Sequence, residues 1–222
     1  MNANTRDLYF GYDRREVVRF LPASCQRVLE IGCGEGQFSK YIRSSQEYWA
    51  IEPNLESSRI AAQRIPRVLC GTFDSCRAHL PDGHFDLVIC NDVIEHMPDH
   101  ASFLDQIRLK MNRGAFLVGS VPNVRYITNL FDLLIRRDWP YTDCGVLDRT
   151  HLRFFTERSL RRSLEEHGFV IEALVGINSV IRRPKTLMDI ARTASALGVI
   201  AATLGHAGDV RFFQFGFRAR LD

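Results

Sequence analysis

Three glycines at alternate positions, Gly32, Gly34 and Gly36, follow the apolar run Val28-Leu29-Glu30-Ile31. Glycine removes the side chain where a backbone must turn tightly or approach a ligand. The spacing is G-x-G-x-G, which differs from the G-x-G-x-x-G dinucleotide fingerprint. Glu52 closes the next apolar run, 20 residues after Gly32. A carboxylate there can accept two hydrogen bonds from the vicinal hydroxyls of a ribose, and such charge-assisted bonds are short and strong. The two features together point to a nucleoside-containing ligand over the first loop. A strand–turn–helix junction with no ligand and an NAD site are the alternatives.

A second group of residues suits proton transfer. His96 follows the apolar run that ends at Cys90. An imidazole with a pKa near ~6.5 can take a proton from a hydroxyl; the other reading is a histidine that fixes the loop. Asp148 and His151 stand close together further along, and either can serve as a base or hold a substrate, or can pin the loop together with Arg149. His96 and His100 are four apart, a spacing that suits a metal on a helix, but Pro98 lies between them and spoils that geometry. No metal is expected. None of the six cysteines (Cys25, Cys33, Cys70, Cys76, Cys90, Cys144) forms a C-x-x-C pair, so they read as reduced and mostly packed thiols.

These residues need a frame that brings them together. Short apolar runs alternate with helical patterns along the chain. Strands are expected at 27–31, 48–52, 67–70, 85–90 and 115–121, and helices at 36–45, 54–65 and 99–112. Asn54 is placed as a helix N-cap with Pro66 as the stop, and Gly114 ends the third helix. Strand alternating with helix implies a parallel sheet covered on both faces. Ligands in such sheets sit beyond the carboxyl ends of the strands, near the switch in strand order. Glu30, Glu52, Asn91, Asp92 and Asn123 all fall at expected strand ends, on one rim. Residues 123–150 break the rhythm with Tyr126, Phe131, Trp139 and Tyr141, and read as an insertion over the site with a helix near 127–136. A helix over 157–167 with Thr156 as its cap, a strand at 169–176, a helix at 184–205 and a strand at 211–220 complete the chain.

The 222 residues suffice for one α/β domain, 1–222, and not for two full-sized ones. At 45% hydrophobic and 25% charged residues, wholesale disorder is excluded. A net charge of +3 is far from the concentrated basic footprint of a dedicated nucleic-acid binder. The longest charge-free run, residues 193–208, is 16 residues and falls short of the ~20 that a membrane span needs. The first 20 residues carry charges throughout and lack the apolar run of a signal peptide. A cytoplasmic location without stable membrane insertion is expected. Arg182, Arg183 and Lys185 read as a solvated charge cluster, or as a phosphate or membrane-surface contact. Oligomeric state is not legible.

The motifs resemble those of class I S-adenosylmethionine-dependent methyltransferases. Glu30-x-Gly32-x-Gly34-x-Gly36 is similar to the first motif of that family and Glu52 to its acidic second. Phe85-Asp86-Leu87-Val88-Ile89, followed by Asn91-Asp92-Val93-Ile94-Glu95-His96, is similar to the fourth-strand motif. The segment from Leu147 to Thr156 resembles the small-molecule branch related to quinone O-methyltransferases, particularly members encoded with polysaccharide genes. The resemblance implies a Rossmann-like, seven-stranded, mostly parallel sheet with helices on both faces and the last strand antiparallel. It also implies methyl transfer from S-adenosylmethionine to a small-molecule acceptor, such as a hydroxyl of a sugar or glycan intermediate.

Carried over by position, Glu30, Gly32 and Asn91 would lie near the methionine part of that cofactor, and Glu52 would hold the ribose. Thr72, Phe73 and Asp74 would edge the adenine, with Thr72 standing where many relatives have an acidic residue. Tyr9 and Tyr12 either cover the cofactor or simply pack. Three other functions compete. An NAD-dependent oxidoreductase is disfavoured by the glycine spacing. A nucleic-acid methyltransferase is disfavoured by Asn91-Asp92-Val93-Ile94 in place of an Asn/Asp-Pro-Pro-aromatic segment. A cofactor-binding protein without turnover is the third.

Overall fold

The computed structural model of the protein describes residues 13–42, 45, 47–181 and 186–222. Among these, seven strands form one sheet: β1 (Arg27–Ile31), β2 (Glu47–Glu52), β3 (Arg67–Cys70), β4 (Phe85–Asn91), β5 (Met111–Pro122), β6 (Phe169–Ser179) and β7 (Phe212–Leu221). Their order is β3-β2-β1-β4-β5-β7-β6. The pairings of β1 with β2 and β4, of β2 with β3 and of β4 with β5 are parallel, whereas β7 runs antiparallel to both β5 and β6. The helices are α1 (Leu55–Ala61), α2 (Phe73–Cys76), α3 (His100–Lys110), α4 (Ile127–Phe131), α5 (Glu157–Glu166) and α6 (Leu187–Ala202).

A central parallel strand is covered on both faces, so its residues are apolar with few interruptions, Glu30 of β1 and Asp86 of β4 being two. Alternate side chains then divide between two cores. Leu29, Ile31, Val88 and Cys90 enter one core with Phe103, Leu104 and Ile107 of α3. Val28, Leu87 and Ile89 enter the other with Phe20, Phe38, Ala61 and Ile65. Glu30 falls on the Val28 side of β1, opposite Ala50 in the register and next to Tyr48.

The helices start where short polar side chains supply caps. Asn54 Oδ1 accepts the Glu56 and Ser57 amides at 3.1 and 2.9 Å, and Asp99 Oδ1 accepts that of Ser102 at 3.0 Å. Thr156 and Ser159 form a reciprocal capping box at α5. Several boundaries differ from those expected of the sequence. The helix expected at 36–45 is a short 3-10 turn, Gln37–Tyr41, whose Gly36 start has no side-chain cap. Phe38 and Tyr41, three apart, pack edge-on at 5.5 Å, as the three-fold repeat of a 3-10 turn brings them together. The first full helix stops at Ala61, because the Gln63 and Arg64 amides bond three residues back and tighten the last turn. Gly114 does not end α3; it lies inside β5 with φ +77. Met111 is already extended and pairs with Phe85, and the register shifts before Leu87 pairs with Phe116. The helix near 127–136 is α4 continued by a π turn, Asp132–Arg136.

The switch in strand order lies between β1 and β4. Ile31 and Cys90 are register partners, so the loops after these two strands emerge side by side.

Candidate active site

The β1 loop is fastened to β2 by its backbone. The Gly32 and Cys33 amides both donate to the Ile51 carbonyl, at 2.8 and 3.2 Å. Gly32 is required there twice over: its φ is +71, and a Cβ on it would lie 2.8 Å from a methyl of Val93. Glu52 completes the attachment. Its Oε2 accepts the Gly34 amide and its Oε1 the Asn54 amide, both at 2.8 Å. Each carboxylate oxygen keeps a second lone pair. Glu52 therefore holds the glycine loop in place and can still accept hydroxyl donors, a double role that residue type alone did not reveal. Burial raises its pKa, and the two backbone donors oppose that rise.

Glu30 is 3% exposed, and the Tyr48 hydroxyl donates to its Oε2 at 2.5 Å. Burial pushes its carboxyl up to about 8; the Tyr48 bond opposes that, and the nearby Glu52 charge adds to it. At neutral pH Glu30 is largely protonated. Burial also pushes the Cys33 and Cys90 thiols up, which leaves both unreactive.

The end of β4 carries the second half of the site. Both polar atoms of the Asn91 amide are buried and lack a partner among the described residues. Asp92 has φ +53 and is held by the Ser120 hydroxyl at 2.6 Å, the Gln214 amide at 2.8 Å and an ion pair with Arg14. A 3-10 turn, Ile94–His96, follows. The Glu95 carbonyl accepts the Leu152 and Arg153 amides at 2.8 and 3.0 Å, which ties the later loop to this turn.

As a result the His96 and His151 rings lie 4.7 Å apart, edge to face, although 55 residues separate them. His96 Nδ1 is 3.1 Å from the Thr150 carbonyl, and His151 Nδ1 is 2.9 Å from that of Val146. Burial, and then the neighbouring His151, holds His96 below the usual imidazole range. Asp148 Oδ1 accepts both the Thr150 amide, at 2.8 Å, and its hydroxyl, at 2.6 Å, so this carboxylate shapes the loop that carries His151. Glu95 belongs to the fourth-strand motif, where residue type alone assigns it no role. It is 1% exposed, and neither of its carboxylate oxygens has a partner among the described residues.

The other expected positions lie apart from this cluster. Phe73 is buried in the core, with its ring edge-on to Phe103 at 5.1 Å, and Asp74 is exposed at the start of α2. His100 packs on Phe155 at 5.8 Å, away from the His96–His151 pair. Within 123–150, Ile127 joins Ala196, Ala207 and Val210 in a separate small core, so the segment packs against α6. Tyr9, Tyr12 and residues 182–185 lie outside the described residues.

A sheet ordered 3-2-1-4-5-7-6 with an antiparallel seventh strand, a glycine loop after β1 and a carboxylate ending β2 defines the Rossmann-like methyltransferase class. The fold is similar to that of a SAM-dependent methyltransferase from Archaeoglobus fulgidus, with a TM-score of 0.65, 21% identity and coverage of 97% of this chain and 94% of that one. Residues 6–174 match the family described as a methyltransferase domain, and the chain belongs to that family. Its cofactor is accordingly S-adenosylmethionine. A relative from Mycolicibacterium smegmatis, named a "probable S-adenosylmethionine-dependent methyltransferase", is 28% identical over 173 residues, 76% of this chain and 62% of that protein. A ubiquinone biosynthesis O-methyltransferase from Psychrobacter arcticus is 26% identical over 166 residues, 69% of this chain and 62% of that protein. The chain thus spans about six-tenths of the length of the curated relatives it matches.

Replacing Glu52 by Gln keeps the shape of the side chain and removes its charge. The affinity for S-adenosylhomocysteine, measured by calorimetry, is expected to fall about 10- to 100-fold, since a bond to a charged group contributes about 1.5–3 kcal/mol; unchanged affinity would exclude the ribose contact. The raised pKa of Glu30 sets a pH dependence of stability. Between the ordinary value of 4.5 and about 8, the folded protein keeps a proton that the unfolded chain releases, so stability falls as pH rises across that window. Urea unfolding of Glu30→Gln should show a slope shallower by about 1.4 kcal/mol per pH unit within this range.

Proposed function

We propose that the protein transfers the methyl group of S-adenosylmethionine to a hydroxyl of a small-molecule acceptor: a sugar, a glycan intermediate or a related metabolite. The observation that carries this reading is the imidazole pair His96–His151, assembled beyond the carboxyl end of β4, the strand whose last residue, Asn91, has a buried amide with no partner among the described residues. A protein that only bound the cofactor would not need two paired imidazoles there. The G-x-G-x-G spacing weighs against NAD. The likeness to an O-methyltransferase of quinone synthesis supports oxygen as the acceptor atom, and the resemblance of the Leu147–Thr156 segment supports the sugar class.

In this reading residues 1–222 act as a single methyltransferase domain, with 123–150 over the site. Glu52 binds the ribose through the lone pairs its backbone donors leave. Glu30, Gly32 and Asn91 line the methionine end, the Asn91 amide finding there the partners it lacks among the described residues. Thr72, Phe73 and Asp74 edge the adenine, the Phe73 contact being made by its main chain, since its ring is in the core. The acceptor oxygen attacks the methyl carbon in line with the carbon–sulfur bond; that bond breaks, the sulfonium leaves as a neutral thioether, and the hydroxyl proton passes to the His96–His151 pair. The sulfonium is already a good leaving group, so alignment and exclusion of water carry most of the acceleration. Asp148 acts by holding the His151 loop. Six free thiols support a reducing, cytoplasmic setting. Among the described residues, no helix is long and apolar enough to cross a membrane.

Incubating cell extract with the protein and isotopically labelled S-adenosylmethionine, followed by mass spectrometry, should reveal a labelled O-methyl product; label on nitrogen or carbon, or no labelled product, would overturn the hydroxyl assignment. With that acceptor in hand, His151→Gln is expected to lower kcat by about 10²- to 10⁴-fold, the usual contribution of acid–base groups, while S-adenosylhomocysteine affinity stays within about twofold.

A further inference from the structure

We propose that Glu95, His96 and His151 together bind a divalent first-row transition-metal cation on the acceptor side of the site. One ligand atom from each of the three residues lies within 4.8 Å of those of the other two. That separation suits three donors around one ion after small side-chain adjustments. The donor set of two imidazoles and one carboxylate leaves coordination positions open, as metal sites that act on substrates do.

Three independent observations agree with this. First, the Glu95 carboxylate is 1% exposed and neither oxygen has a partner among the described residues. A buried polar group normally finds a hydrogen bond, and an unpaired buried carboxylate is costly. A cation between the three side chains would supply the missing partner. Secondly, each histidine directs Nδ1 at a backbone carbonyl, that of Thr150 for His96 and that of Val146 for His151. An imidazole that donates from Nδ1 presents its lone pair at Nε2, and metal-bound histidines are oriented by this kind of bond. Thirdly, the two halves of the cluster are locked together by the Leu152 and Arg153 amides on the Glu95 carbonyl, and by the Arg153 guanidinium on the Pro98 carbonyl at 2.5 Å. The ligands are thereby held in register before any ion arrives. The pairing of His96 with His100 considered from the sequence is replaced by one with His151, because the 3-10 turn ends at His96 and a new helix begins at His100.

This inference rests on the methyltransferase reading only for what fills the open positions: there the acceptor oxygen would be oriented and its proton made easier to remove, and because the cation takes Nε2 of both imidazoles that proton would pass to water, the His96–His151 pair taking it only in the metal-free protein. Cation binding is tested without acceptor or turnover. The untagged protein of residues 1–222, freed of metal by a chelator, is titrated with cobalt(II) chloride and followed by the visible d–d absorption. One equivalent is expected to bind saturably. Glu95→Gln and His151→Gln should each weaken that binding at least about 100-fold, more than loss of an outer-shell partner costs, and His100→Ala should leave it unchanged.

Should either ligand variant lose its fold by circular dichroism, the wild type decides. Zinc titration is expected to shift the imidazole nitrogen NMR signals of His96 and His151 and of no other histidine. Absence of a saturable cobalt signal, cobalt binding by a folded Glu95→Gln protein equal to wild type, or zinc shifts at other histidines would overturn the proposal. Calorimetry with S-adenosylhomocysteine separates the two readings: binding of that ligand without cobalt removes only the metal, and cobalt binding without it removes only the methyltransferase assignment.

Discussion

Glu52 Oε2 receives the Gly34 amide, and Oε1 receives the amide of Asn54, at the start of the next helix. One buried carboxylate thus joins the loop after β1, the tip of β2 and the N-cap of α1. The loop itself consists largely of residues at positive φ, a conformation with little intrinsic preference in a flexible chain. Its shape is set by what it is tied to. The Ile51 carbonyl and the Glu52 side chain provide those ties, and both come from a strand whose position the sheet dictates.

Three acidic side chains lie buried on the same rim, and each meets the cost of leaving water in its own way. Glu52 accepts backbone amides and remains an acceptor for more. Glu30 accepts a phenol hydrogen from Tyr48 and holds a proton to about pH 8. Glu95 has no hydrogen-bond partner among the described residues, and burial raises its pKa, with the charge of Asp92 adding to that. A fold rarely tolerates an unsatisfied buried carboxylate, so its presence beside two oriented imidazoles is where the structure departs most from the demands of stability alone.

Much of the architecture was legible because it follows from local pattern. β1 and β3 have the bounds expected, since a short run of apolar residues between polar ones favours a strand, buried in β1 and at the partly exposed sheet edge in β3. α5 begins at its Thr156 cap for the same local reason. Errors gathered where a tertiary contact overrode the local signal. Gly114 looks like a helix stop, yet pairing of Met111 with Phe85 draws the preceding residues into β5. The helix after Gly36 shrinks to a 3-10 turn, for which no side-chain cap was available.

The sequence by itself determined the class of sheet, the glycine loop and the carboxylate at the second strand's tip. These depend on residue type at short separations, where chain geometry leaves few choices. Only the tertiary structure decided which histidines meet. His96 and His151 are brought together by two amides on the Glu95 carbonyl, and backbone hydrogen bonds of that kind leave no mark on residue type. The same holds for Glu95 itself: that none of the described residues hydrogen-bonds its carboxylate becomes visible only once the chain has closed around it.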